Sequence, residues 1–159
     1  MGIVNPFSGP VDRRRARRAS WAFNHALDAY ARTLSRLERP VGVIGDDTSV
    51  PMPRRAAAAM PRLRREHAKF REAAVELDDA RAAGARRLDD PKTPADVAEA
   101  ARVRFDALEM RRPTPDWIAQ REVEWDRSLE RLERWAQRDP EHAAAIAERR
   151  AARQLSGRR

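Results

Sequence analysis

The chain has 159 residues, a formal net charge of +8, 36% charged residues and no cysteine. Without cysteine there are no disulfides, no thiolate nucleophile and no cysteine-ligated zinc, and the length fits one domain or a helical hairpin with appendages. Apolar residues reach 42% but many are alanine, a balance that favours long helices with narrow apolar stripes over a thick core enclosing a deep catalytic cavity.

Lysine occurs only at Lys69 and Lys92, leaving 31 arginines among 33 basic residues. Arginine forks onto phosphate better than lysine does, but abundant alanine and proline accompany it, as in any GC-rich genome. The placement of charge is more telling. Residues 1–40 hold eight arginines and three acids, whereas residues 95–138 are close to neutral. Basic termini of this kind act as arms on phosphate or on an acidic partner.

The first ten residues, MGIVNPFSGP, carry neither the basic start nor the apolar run of a signal peptide. Pro6 stands where a myristoylation pattern needs Ser or Thr, and no stretch approaches the roughly 18 apolar residues of a membrane span. A cytoplasmic location without membrane contact is expected. Residues 1–10 read as an extended arm in which Ile3, Val4 and Phe7 dock on a neighbouring surface, with Trp21 part of the same contact.

Ala16, Ser20, Phe23, Leu27, Tyr30, Leu34 and Leu37 are spaced alternately by four and three, which predicts a helix from about Val11 to Glu38 with one apolar seam. Arg13, Arg14, Arg15, Arg17 and Arg18 fall mostly off that seam. They are the candidate contact for phosphate or an acidic partner, at a helix end whose dipole disfavours positive charge. Nucleic acid is the less favoured partner, because only the termini are basic and no aromatic residue interleaves with the five arginines to stack on bases.

Pro40 and two glycines end the helix, and the segment 39–53 reads as a loop packing over the hairpin end. A second helix is expected from about Pro61 to Leu88, with an earlier turn at RRAAAAM. Its seam is Met60, Leu63, His67, Phe70, Ala74, Leu77, Arg81, Gly84 and Leu88; Arg81 and Gly84 make the later half poor. The two helices predict an antiparallel, coiled-coil-like hairpin over 11–90.

Thr93-Pro94 and Thr114-Pro115-Asp116 are helix-start signals. They open a third helix with Ala98, Ala101, Phe105 and Leu108 on one face. The fourth has Ile118, Trp125, Leu129 and Leu132 as its stripe, with Trp117 and Trp135 flanking it. Asp139-Pro140 opens a fifth. Residues 91–155 thus form a second helical unit, and 156–159 a disordered tail. The fold class is all-α, a helical bundle.

None of His25, His67 and His142 has a partner at metal-ligand spacing, and no Glu-x-x-His, phosphate loop or Gly-x-Ser-x-Gly occurs. No metal, cofactor or catalytic residue is expected. The turn at RRPTP resembles a helix-turn-helix only in spacing; there Trp117, Gln120, Arg121 and Glu124 would face a groove. The expectation is a non-catalytic helical interaction or assembly protein, of the texture found in bacteriophage and mobile-element accessory proteins, with a protein partner or self-association. The alternative is a DNA- or RNA-binding accessory protein with a basic N-terminal arm.

Overall fold

In the computed structural model, residues 10–42, 44, 49–91, 93–139, 141, 144–145 and 147–149 are described. They form four long helices with no strand among them: α1 (Pro10–Leu37), α2 (Met52–Leu88), α3 (Ala95–Glu109) and α4 (Pro115–Ala136). The described residues between 141 and 149 are helical too, in the place of the expected fifth helix. The protein is all-α, as its periodicity requires. The arm carrying Ile3, Val4 and Phe7, and the tail 156–159, lie outside the described residues.

The helices gather into two compact units, each discontinuous in sequence. One holds α1, the part of α2 from Glu72 onward, and α3; the other holds residues 39–71 and α4. α2 contributes residues to both units.

In the first unit, α1 buries Phe23, Leu27, Tyr30, Leu34 and Leu37, the later seam positions. Ala16 and Ser20 are only half-buried. Arg36 reaches Glu76 of α2 at 3.3 Å, while Leu27 lies close to Gly84, so α1 and α2 run antiparallel. The later α2 seam looks defective only when two helices are counted. Gly84 is buried, and a Cβ there would stand 3.1 Å from Cε2 of Phe105, so the missing side chain is the space that the α3 ring fills. Arg81 turns to Glu109 of α3, Nε to Oε2 at 2.8 Å. Along α3, Ala101, Phe105 and Leu108 are buried.

In the second unit, Arg54 pairs with Asp139, Arg64 with Glu133 and Arg71 with Glu122. Rising numbers on α2 meet falling numbers on α4, which makes this pair antiparallel as well. These pairs are largely solvated, so each contributes at most about 1 kcal/mol; their use is in setting register. The apolar contact comes from Ala56, Met60, Leu63 and Phe70 of α2 and Trp125 and Leu132 of α4.

Four local expectations need correction. α2 starts at Met52 and passes through Pro61. Proline removes one backbone donor, but the alanines before it are strong helix formers, and Ala56, Met60 and Leu63 anchor both sides. Ala73 rather than Ala74 is the fully buried member of the α2 stripe. The N-cap of α3 is Pro94, with no side-chain cap, so this helix starts one residue later than its signal suggested. On α4, Ser128 is buried and Leu129 half-buried. The reason lies in the segment between α1 and α2: Gly42 takes a left-handed φ of 63° and crowds Ser128 so closely that a Cβ would be 2.2 Å from Oγ. The start of α4 is as expected, with Thr114 Oγ1 accepting from the Trp117 N–H at 3.2 Å.

Candidate functional site

The start of α1 stands apart from the rest of the described surface. Arg13, Arg14, Arg15, Arg17 and Arg18 are all exposed, and no ion pair or hydrogen bond engages them among the described residues. Elsewhere many arginines are held. Arg104 bonds Asp28 and Asn24, Arg111 forks onto Glu38, and Arg112 reaches Asp78. The five therefore form a concentrated positive charge that no acid compensates among the described residues. Their position near the positive end of the helix dipole raises the local potential further.

Trp21, expected to dock together with the N-terminal arm, is 70% exposed. At roughly 100° per residue, it lies opposite Tyr30, which is fully buried, and so on the most solvated side of α1. Its ring stacks on His25, centroids 5.4 Å apart and planes 9° from parallel. Arg14, Arg17 and Arg18 precede it by seven, four and three residues, which places all of them on the same side of the helix. No aromatic residue interleaves within residues 13–18, but one turn further on an indole joins the arginine face. Its signal in the sequence is an aromatic residue off the apolar seam. The meaning of that signal depends on whether another helix covers it.

Around the corner of the same unit, a groove of about 300 Å³ opens between α1 and α3. Its polar rim is Ser20, Asn24, Asp96 and Arg104. Arg104 is already committed to Asn24 and Asp28, so the groove holds no unengaged cation.

Two polar clusters inside the units are structural. The Tyr30 hydroxyl donates to Glu109 Oε1 at 2.6 Å, and Arg81 donates to the other carboxylate oxygen. Burial pushes the Tyr30 phenol well above its ordinary range, and the hydrogen bond to the Glu109 carboxylate adds to this. Burial would raise the Glu109 carboxyl too, but the Tyr30 and Arg81 bonds outweigh it and hold that group below the usual carboxylate range. One carboxylate thus ties α1, α2 and α3 together.

In the second unit, the buried His67 ring stacks on Trp125, centroids 5.6 Å apart. Its Nε2 is 3.7 Å from Asp126 Oδ1, beyond hydrogen-bond reach.

The described residues hold no group of three His, Asp or Glu side chains able to bind a metal ion, and no helix among them is long and apolar enough to cross a membrane. The two helices of the helix-turn-helix spacing, α3 and α4, fall in different compact units. Arg121 is also engaged, by Glu124 and the Arg39 carbonyl, and lies over the Trp117 ring. Comparison with known proteins finds no matching family model, and no match among curated proteins or solved structures.

Proposed function

We propose that this chain is a non-catalytic helical interaction and assembly protein, and that the N-terminal half of α1 is its contact for an anionic partner. The supporting observation is the contrast in arginine use. Several arginines of α2 and α3, Arg64, Arg71, Arg81 and Arg104, pair with an acid on another helix, whereas the five crowded into six positions of α1, the densest basic run of the chain, meet no acid among the described residues. Like charges packed at a helix start repel one another and the helix dipole. An anion bound there relieves both penalties, so the segment is disposed to bind rather than to brace.

The interior argues in the same direction. The Tyr30–Glu109–Arg81 cluster ties three helices together. A scaffold whose polar cluster joins helices and whose densest run of open charge lies at the start of α1 suits assembly with a partner.

The test replaces Arg13, Arg14, Arg15, Arg17 and Arg18 by glutamine and measures binding to poly-glutamate and to nucleic acid, with light scattering of the chain alone for self-association. Wild-type protein is expected to bind polyanions and to release them with rising salt. The variant should keep its helicity and bind neither polyanion. Equal binding by both proteins would reject the proposal.

A further inference from the structure

We infer that the anionic partner is single-stranded nucleic acid, gripped by a stripe in which the arginines neutralise phosphates and Trp21 stacks on a base. This inference rests on the anionic contact proposed above and gives it a chemical identity.

The first argument is the exposure of Trp21. Other apolar side chains are exposed too, Val75 and Met110 among them, but Trp21 is the exposed aromatic ring that stands among unpaired arginines, and an indole offers a large flat face for stacking. No apolar neighbour surrounds it on α1: three and four residues away lie Arg17, Arg18, Asn24 and His25. A partner helix or a hydrophobic groove would require further apolar groups at those positions. A lipid surface would as well, because one tryptophan among arginines gives no apolar face to insert. A flat π-face within a field of positive charge instead fits a ligand that offers both a flat π-face and negative charge in every repeat. A nucleotide does so.

The second argument is preorganisation. Trp21 stacks almost parallel on His25, a contact that favours one orientation of the ring before any ligand arrives. Binding then costs less side-chain freedom. An incoming base would extend an existing stack of two rings.

The third argument concerns charge along the stripe. From Arg13 to Leu37 the sole acid is Asp28, and Arg104 neutralises it. A phosphate chain following this side of α1 from Arg14 past Trp21 meets no unpaired carboxylate of α1; the nearest acid of another helix is Asp96, on the groove side of Ser20 and Asn24. Arg14 and Trp21 are two turns apart, about 10 Å along the axis, so the stripe is long enough for more than one nucleotide.

Single strands are favoured over duplex because stacking on Trp21 needs a base whose face is open. In a duplex those faces are already covered, and only the phosphates remain for the arginines.

The experiment measures fluorescence anisotropy of a labelled mixed-sequence single-stranded DNA, its duplex, and labelled poly-glutamate. The proteins are wild type, Trp21→Ala, Trp21→Phe and the five-arginine-to-glutamine variant. Trp21 is exposed and away from the core, so both Trp21 variants should share the wild-type circular dichroism and melting temperature, and the five-arginine variant, relieved of repulsion at the helix start, should be at least as helical as wild type. Trp21→Ala is expected to weaken single-strand binding by about tenfold to a hundredfold, with Trp21→Phe recovering most of it. Duplex and poly-glutamate binding should be weaker and unchanged by either substitution. The five-arginine variant should flatten the salt dependence on single strands by about 0.7 in log–log slope for each phosphate that is no longer neutralised.

If Trp21→Ala binds single strands as wild type does, or duplex is bound as tightly, the nucleic-acid inference is overturned. In either case failure of the five-arginine variant to bind poly-glutamate would leave the anionic contact standing. Tighter binding to phosphatidylserine vesicles than to the oligonucleotide overturns it too. If the five-arginine variant binds every probe as wild type does, the underlying anionic contact falls as well.

Discussion

Replacing Tyr30 by phenylalanine isolates one oxygen atom at the junction of three helices. The ring is fully buried and phenylalanine fills the same volume, so no cavity penalty enters. What disappears is a 2.6 Å hydroxyl-to-carboxylate bond. A hydrogen bond to a charged group contributes about 1.5–3 kcal/mol. The Glu109 side chain is 25% exposed, so water replaces part of the missing bond and Arg81 still holds the other oxygen. An expected cost of about 1–2 kcal/mol follows, or a fall in melting temperature of roughly 2–8 °C for a chain of this size.

Two pH signatures accompany it. Glu109 is held below the ordinary carboxylate range in the folded protein, so its contribution is present above that range and is lost as pH falls through the folded value. The gap between wild type and Tyr30→Phe should therefore narrow on acidification. The Tyr30 phenol is shifted upward, so its contribution is complete below a pH of about 10, where an unfolded tyrosine ionises, and declines above it. Tyr30 is the chain's only tyrosine, so the near-ultraviolet absorbance of tyrosinate reports this group alone. Native protein should resist ionisation at a pH where denatured protein ionises freely. Ionisation near pH 10 in both states, or a Tyr30→Phe protein as stable as wild type at neutral pH, would refute the network.

Leu27→Ala should cost about 2–5 kcal/mol in denaturant unfolding, because Leu27 is fully buried; Arg15→Ala, exposed and unpaired, should leave the midpoint unchanged. Gly42→Ala should destabilise by about 1–3 kcal/mol, since a left-handed φ and the crowding against Ser128 act together; an unchanged melting temperature would contradict the loop placement. Thr114→Ala should cost about 1 kcal/mol by removing the α4 cap, and Thr114→Ser should restore it.

Periodicity along the chain determined which residues of α1 would be buried. Phe23, Leu27, Tyr30, Leu34 and Leu37 repeat at helical spacing, and a helix can hide such a row only by turning it toward another helix. The Thr114 cap was legible for a similarly local reason: a hydroxyl before Pro115 and Asp116 can satisfy a backbone donor without help from distant residues. Arg81 and Gly84 were a different matter. Beside α1 alone they are faults in a seam, and only the arrival of α3 makes them a carboxylate partner and a seat for Phe105. Ser128 likewise became a core residue because a loop far away in sequence presses Gly42 against it. The five arginines could be named from the sequence, since charge is a local property. Whether they were unpaired, and whether Trp21 stood open beside them, was decided by the tertiary structure, because exposure and pairing depend on which distant side chains come near.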